Sequence, residues 1–240
     1  MSGVPALGFR EVALVMGDSR VLDDVSFEVW PGETLAIVGA SGSGKTRIAR
    51  LAAGLDPPTS GIVSLFGQDA DSRTPPRHTL GVTLQGGSLF DGLSVDDNLR
   101  LGSGITSTAG WRALSARVDR LLYEFGLDDL ADVRAGTLPI GAKRQLEVVR
   151  ALLRDPALLI LDEPFEGATA GLAELAGTIR RSMRRRGGAI LLLTEDAALA
   201  TALTERQLTL DHGRLQQDDA VRRPAATSSA TASASAATPA

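Results

Sequence analysis

The segment from Gly39 to Thr46 has the residue types and the spacing of a loop that cradles phosphate groups. It reads Gly39-Ala40-Ser41-Gly42-Ser43-Gly44-Lys45-Thr46, the pattern G-x-x-x-x-G-K-T. Glycines let the backbone curl so that several N–H groups point at phosphate oxygens, and a helix N-terminus adds positive potential. Lys45 can then reach the β- and γ-phosphates of ATP, while the Thr46 hydroxyl can ligate Mg²⁺. Because an apolar strand precedes the loop and a helix pattern follows it, we favour this interpretation over a chance Gly/Ser-rich turn.

An acidic pair at the end of a second apolar strand could complete such a site. Asp162 and Glu163 directly follow the run Leu158–Leu161. An aspartate at this place can hold Mg²⁺, usually through its water, and an adjacent glutamate can orient or deprotonate an attacking water. Alone, the pair would be a solvated acidic turn before Pro164. Downstream of a phosphate loop, we interpret it as part of the site, because α/β ligand sites form at strand ends.

An α/β scaffold is predicted to position these residues. Runs of β-branched and apolar residues bounded by turn signals predict the strands, and apolar residues at helical spacing predict the helices. The predicted strands are Phe9–Val15, Val21–Trp30, Glu33–Val38, Gly61–Phe66, Leu80–Leu84, Ala157–Leu161 and Ala189–Thr194, with a terminal hairpin over Gln207–Gln216. The predicted helices are Thr46–Gly54, Val95–Leu101, Trp111–Phe125, Ala142–Leu153, Ala170–Arg186 and Ala197–Leu203. The sequence therefore predicts an α/β core interrupted by a helical block at about residues 87–156.

Composition narrows the possible functions. A net charge of −4 argues against a protein that binds nucleic acid by bulk charge, and the lack of cysteine removes disulfides, thiolate zinc sites and cysteine nucleophiles. No targeting segment is visible, and the longest apolar runs fall far short of the ~18–20 residues that span a bilayer. We therefore expect any membrane role to come through a partner.

Residues 221–240 are almost only Ala, Ser, Thr and Pro, and we expect them to be disordered.

Over about residues 7–216 the chain resembles the nucleotide-binding subunits of ABC transporters. Besides the two motifs above, the resemblance rests on Gln85 with the segment 88–99, and on a helix, Arg144–Leu153, that runs into the acidic strand through Asp155-Pro156. It implies a P-loop NTPase core of the RecA-like kind, an N-terminal antiparallel β subdomain and an inserted helical subdomain. It also implies a head-to-tail dimer that sandwiches ATP.

The resemblance assigns roles to further residues. Gln85 would contact Mg²⁺ and sense the γ-phosphate, and Met16 would cover the adenine ring in place of the usual aromatic residue. The segment after Gln85 would receive an integral-membrane permease subunit. Within it, residues 88–99 are most similar to lipid transporters of the Mla/Mce type. The ATP-binding domain would occupy 1–220.

The signature loop departs from the family pattern. It commonly reads L-S-G-G, and Leu138-Pro139-Ile140-Gly141 stands in its place. In the dimer that loop presents a serine hydroxyl and backbone N–H groups to the partner's γ-phosphate. Pro139 has neither a hydroxyl nor an N–H, and Ile140 puts a β-branched side chain where close approach needs glycine.

Two other family positions also differ. Glu195 stands where the resemblance implies a histidine beside the γ-phosphate, and Thr169 where it implies an aspartate. A carboxylate at ~4 Å from a phosphate charge costs about 4 kcal/mol per pair of unit charges at an effective dielectric of about 20. We therefore expect Glu195 to point away, to be protonated, or to lower the affinity for ATP.

Three functions remain open from the sequence. The first is the ATP-binding subunit of an ABC transporter, a homo- or heterodimer peripheral on the cytoplasmic face of the cell membrane, with hydrolysis that is slow or asymmetric. The second is a catalytically weak or regulatory ATP-binding subunit paired with an active homologue. The third is a soluble ABC ATPase of DNA repair or translation, disfavoured because the chain has one cassette and no basic surface for nucleic acid.

Overall fold

A computed structural model of the chain describes residues 3–70, 80–165, 171–204 and 206–217. The strands are β1 Leu7–Met16, β2 Ser19–Val29, β3 Thr34–Val38, β4 Ser60–Leu65, β5 Gln68–Asp69, β6 Leu80–Thr83, β7 Leu158–Asp162, β8 Ala189–Thr194, β9 Arg206–Asp211 and β10 Arg214–Gln217. The helices are α1 Lys45–Ala52, α2 Val95–Ser103, α3 Thr108–Glu124, α4 Ile140–Leu152, α5 Leu172–Arg184 and α6 Ala197–Leu203. The predictions for Thr169 and for 221–240 fall outside the described residues.

The strands form two sheets. The first is antiparallel, with the order β2-β1-β4-β5, and the second has the order β10-β9-β3-β8-β7-β6. In the second sheet β9, β3, β8, β7 and β6 pair in parallel, and only the final β9–β10 hairpin is antiparallel. The predicted α/β core with an N-terminal antiparallel sheet is confirmed.

The parallel sheet lies between two hydrophobic cores, because alternate residues of a strand point to opposite faces. On β7, Leu158 and Ile160 pack with α1 and the antiparallel sheet, whereas Leu159 and Leu161 pack with α2–α6. Both faces are therefore buried, which explains why the central strands are continuous apolar runs rather than alternating ones. A sheet clamped in this way holds the ends of its strands in fixed positions.

The segment between β6 and β7 is built from α2, α3, α4 and two short 3-10 turns, at Asp128–Leu130 and Ala135–Thr137. Serine side chains set two of the helix starts. The hydroxyl of Ser94 accepts a hydrogen bond from the Asp97 amide, and that of Ser107 accepts one from the Gly110 amide. The second cap starts α3 at Thr108, earlier than the apolar pattern alone predicts.

None of the helices within the described ranges is both long enough and apolar enough to cross a lipid bilayer.

Candidate functional site

Sheet order brings the candidate site residues to one edge. The parallel strands β3, β8, β7 and β6 are neighbours in that order, so their carboxyl ends lie side by side. The phosphate-loop sequence follows β3, Glu195 follows β8, Glu163 follows Asp162 at the end of β7, and Gln85 comes shortly after β6. Residues far apart in the chain therefore meet at one place.

The glycines of the loop are required by its geometry. Gly42 and Gly44 have φ of +78° and +110°, in the left-handed region that other residues rarely adopt. A Cβ on Gly39 would lie 2.5 Å from the carbonyl oxygen of Leu210, and one on Gly44 would lie 2.8 Å from Cδ2 of Leu22. The loop is therefore pressed against neighbouring chain, while a Cβ on Gly42 would meet only open space within 4 Å.

Backbone donors of the loop are open to a ligand. Within the described part of the chain, the amides of Gly42, Gly44, Lys45 and Thr46 have no backbone acceptor. The buried hydroxyl of Ser43 likewise has no hydrogen-bond partner among the described residues. The amides stand at the N-terminus of α1, where the helix dipole favours an anion. The loop as folded fits a phosphate group.

Lys45 is buried within this edge of the sheet. Its side chain is only 6% exposed, and its Nζ donates to the carbonyl oxygens of Gly39 at 2.7 Å and Ala40 at 3.0 Å. Two carboxylate oxygens complete its surroundings: Oε1 of Glu163 and Oε1 of Glu195 each lie 3.5 Å from Nζ. The lysine therefore has one positive charge facing two glutamates.

Oxygen ligands suited to Mg²⁺ converge beside the lysine. The Thr46 hydroxyl donates to Oε1 of Gln85 at 3.3 Å, and the Gln85 amide N donates to Oδ2 of Asp162 at 3.4 Å. Magnesium in phosphate sites takes one or two carboxylates and keeps its remaining positions for water and phosphate oxygens. A hydroxyl, an amide oxygen and a carboxylate brought together in this way fit that ion.

The Glu163 carboxyl has a raised pKa and a fixed orientation. Burial raises its pKa, and the nearby Glu195 raises it further, while the hydrogen bond from Thr194 and the charge of Lys45 oppose the rise. The Thr194 hydroxyl donates to Oε2 at 3.0 Å and so orients the carboxyl. A glutamate with a raised pKa, fixed by a neighbour, is suited to general-base chemistry.

Glu195 is the site residue whose contact the sequence did not reveal. The family pattern marked its position only as a departure from histidine, and three outcomes were left open for it. In the structure it points inward, to Lys45. The next residue, Asp196, faces elsewhere, because its side chain caps α6 by accepting from the amides of Ala198 and Leu199.

Met16 lies at the turn between β1 and β2. It ends β1, pairs with Ser19 across the hairpin and is 44% exposed. Strand β2 is connected to the phosphate loop through Gly213. The Asp23 amide of β2 donates to the carbonyl oxygen of Gly213, and the Gly213 amide donates to the carbonyl oxygen of Ser43. The structure thus connects the hairpin that carries Met16 to the phosphate loop.

Two buried polar residues beyond Gln85 support the adjoining loop. Asn98 accepts from the Phe90 amide at 2.8 Å, and Glu147 accepts from the Ser88 amide at 2.7 Å. Glu147 is also paired with Arg144 at 3.0 Å, so α4 is connected to the segment after Gln85. The sequence motifs predicted neither contact, although the signal for both is a polar residue within the buried stripe of a helix.

The start of α4 differs from the start of α1. Leu138 is buried, Pro139 is the N-cap residue without a side-chain cap, and Ile140 is 57% exposed. Proline contributes no N–H, and the exposed side chain of Ile140 is apolar. This surface offers an apolar side chain where the signature loop would offer donors.

Comparisons with known proteins agree with this arrangement. The family model for ABC transporters matches residues 22–166. The chain is 34% identical over 213 residues to a sulfate/thiosulfate import ATP-binding protein of Mycolicibacterium paratuberculosis, covering 88% of this chain and 59% of that protein. It is 35% identical over 223 residues to the Nod factor export ATP-binding protein I of Burkholderia pseudomallei, covering 91% of this chain and 72% of that protein.

Solved structures give the same result for the fold. An ATP-binding subunit of an ABC transporter superposes with a TM-score of 0.77 at 28% identity, covering 88% of each chain. A dimeric bacterial ABC transporter cassette superposes with a TM-score of 0.79 at 22% identity, covering 88% of this chain and 97% of that one. The second likeness, at this identity, concerns the fold alone.

Proposed function

The chain belongs to the ABC transporter family, where it matches the ATP-binding subunits, and from this membership we propose that it binds and hydrolyses ATP to drive a transporter. One observation carries the proposal: the glycine loop before α1 keeps its amides open beside a buried lysine and an acidic strand end. The chain spans only 59% of the length of the sulfate/thiosulfate import ATP-binding protein that it resembles. What is proposed here concerns the ATP-binding unit.

The proposed roles follow the contacts. The loop from Gly39 to Thr46 binds the phosphates through its amides, and Lys45 binds the β- and γ-phosphates. Glu163 orients the attacking water and takes its proton, in a position fixed by Thr194. Met16 covers the adenine ring with a polarisable apolar side chain.

Magnesium completes the proposed site. Thr46, Gln85 and Asp162 would hold the ion, because their oxygens converge next to the loop. The bound ion would neutralise charge on the phosphate oxygens. Gln85 would then report on the occupancy of the site, because its backbone contacts Asp162 and the chain after it leads to α4 through Ser88 and Glu147.

A direct test is nucleotide binding and phosphate release by the purified chain with and without Mg²⁺. We expect ATP to bind and Mg²⁺ to be needed for phosphate release. A chain that binds no nucleotide under either condition would contradict the proposal, whatever its fold.

Coupling to a separate integral-membrane permease is the second part of the proposal. The loop after Gln85 supports it, because Phe90 is 55% exposed while the buried side chain of Asn98 hydrogen-bonds to the Phe90 backbone. The protein would then act from the cytoplasmic face of the cell membrane, as a homo- or heterodimer. Purification under mild detergent should bring down a multi-span membrane protein, and its consistent absence would favour a soluble ABC ATPase instead.

Lipid is the transported substrate that we propose. The support is the similarity of residues 88–99 to lipid transporters of the Mla/Mce type. The named relatives are a sulfate/thiosulfate importer subunit and a Nod factor exporter subunit, so the substrate differs within the family. Phospholipid in the complex with the permease, measured by mass spectrometry, tests the assignment; stimulation of ATPase activity by sulfate instead would contradict it.

Slow or asymmetric turnover is favoured by two observations. Pro139 and Ile140 replace donors at the start of α4, and Glu195 occupies the neighbourhood of Lys45. These observations also support the second candidate, a regulatory subunit paired with an active homologue. Phosphate release measured for the chain alone and with its partner distinguishes a slow ATPase from a regulatory subunit. Turnover as fast as that of an ordinary transporter ATPase would contradict both.

For the chain organisation, we propose an ATP-binding domain over 1–220 with a helical subdomain at about 87–156. The support is the position of α2, α3 and α4 between β6 and β7. Limited proteolysis followed by mass spectrometry would map these boundaries.

A further inference from the structure

Two carboxylates surround Lys45, the lysine proposed to bind phosphate. Its Nζ lies 3.5 Å from Oε1 of Glu163 and 3.5 Å from Oε1 of Glu195. Asp162, the residue before Glu163, adds a third carboxylate to this end of the sheet, where its Oδ2 accepts from the Gln85 backbone amide. An incoming anion therefore meets a cation whose charge is already balanced.

The sheet order explains why Glu195 lies there. Strand β8 is inserted between β3 and β7, and both neighbours are bound to its end. The Gly39 amide donates to the carbonyl oxygen of Thr194 at 3.2 Å, and the Glu163 amide donates to that of Leu193 at 2.9 Å. The residue that follows Thr194 must leave the sheet between the phosphate loop and the acidic pair.

The two glutamates differ in how they are held. Glu163 is buried and fixed by the Thr194 hydroxyl, whereas the side chain of Glu195 is 48% exposed. Among the described residues, Lys45 is the only cation within 4.0 Å of the Glu195 carboxylate. Glu195 can thus turn toward water when an anion replaces it at the lysine.

The third phosphate of ATP would come closest to Glu195. A water activated by Glu163 attacks the terminal phosphorus, so the γ-phosphate must lie on the Glu163 side of Lys45. Glu195 approaches the same nitrogen at the same distance as Glu163 and lies close enough to it to raise its pKa. The β-phosphate would be held by the loop amides and so would lie farther from both carboxylates.

From this geometry, and resting on the proposed nucleotide site, we propose that Glu195 is a specificity-determining residue that disfavours the third phosphate. It holds Lys45 when no nucleotide is bound and must be displaced by a γ-phosphate. The site then binds ADP at least as tightly as ATP.

The test compares nucleotides that differ in the third phosphate. Isothermal titration of the full chain with ADP and with AMP-PNP, both in excess Mg²⁺, is carried out on the wild type, Glu195→Gln and Glu195→Ala. Glu11→Gln is the matched control, because it removes the same charge from an exposed position on β1. Melting temperatures verify that each variant is folded.

We expect wild type to bind ADP at least as tightly as AMP-PNP. Loss of the Glu195 charge should tighten AMP-PNP about tenfold and ADP less than about threefold, a moderate effect because the carboxylate is half-exposed and screened. Glu11→Gln should change neither affinity.

Each other outcome is decisive. If both nucleotides tighten equally, or neither does, Glu195 does not select against the third phosphate, although the nucleotide site itself stands. If wild type and variants bind neither nucleotide, the proposed function fails and the inference fails with it.

Discussion

The N-termini of α1 and α4 are two helix starts with opposite capacities for an anion. Both lack a side-chain cap, so each leaves backbone groups to be satisfied from outside the helix. Left-handed glycines precede α1, and its first residue is the buried Lys45. Pro139, which has no N–H, precedes α4, and its first residue is the exposed Ile140.

The difference shows that a helix dipole is not enough to make a phosphate site. Both helices have one, but the loop at α1 leaves several amides without a backbone acceptor beside a buried lysine, whereas the start of α4 has a proline without an N–H and an exposed apolar side chain. If this surface faces a partner's nucleotide, as the family resemblance implies, the chain builds its own site and supplies little to the other.

The largest expected effect is on hydrolysis at the α1 site. Glu163→Gln should lower the rate of phosphate release by about 10²–10⁴-fold, the usual contribution of a general base. ATP affinity should be retained, because the amide keeps the acceptor for the Thr194 hydroxyl. Single-turnover phosphate release and nucleotide titration on the same preparation measure both quantities. A loss of less than about fivefold would mean that another group activates the water.

The second-largest expected effect is on nucleotide affinity, when Lys45 is removed. Lys45→Ala should weaken ATP binding by about 100-fold, the upper range for loss of a charge-assisted hydrogen bond. Fluorescent-nucleotide titration measures the change, with circular dichroism as the check on folding. If affinity is unchanged, the loop amides alone bind the phosphates and the contrast between the helix starts rests on glycine only.

Adding hydrogen-bond donors at the start of α4 should raise the turnover rate, by a smaller factor than the two losses above. The double substitution Pro139→Ser and Ile140→Gly provides a hydroxyl and uncovers amides, so turnover of a homodimer should rise about tenfold, equal to ~1.4 kcal/mol. Ile140→Ala is the control that removes the apolar cover without adding a donor. Steady-state ATPase rates decide the matter: no gain in the double variant would show that the start of α4 does not limit turnover.

The smallest effect concerns stability. Burial raises the pKa of Glu163, so ionising it destabilises the folded state above the folded pKa, and stability increases as pH falls through that value. Glu163→Gln removes this cost. Its Tm should exceed that of wild type at about pH 8, and the difference should shrink on acidification. A difference that grows toward low pH would contradict the assigned cause, and Glu11→Gln should show no such trend.

Local patterns predicted much of the fold. Strands β3, β7 and β8 were predicted because burial on both faces requires continuous apolar runs. By contrast, the sequence did not predict β5, because Gln68–Asp69 is short and polar. Its strand conformation depends on pairing with β4 rather than on the β-propensity of its own residues. The start of α3 was placed late because the cap at Ser107 precedes the apolar pattern.

The sequence by itself determined the phosphate loop and the acidic pair, since each is a contiguous motif whose residues act through their own backbone and immediate neighbours. Only the tertiary structure decided what surrounds Lys45. The crossover that places β8 between β3 and β7 brings Glu195 to a lysine that lies 150 positions earlier in the chain. No local pattern encodes that contact, because it depends on the order in which distant strands pair.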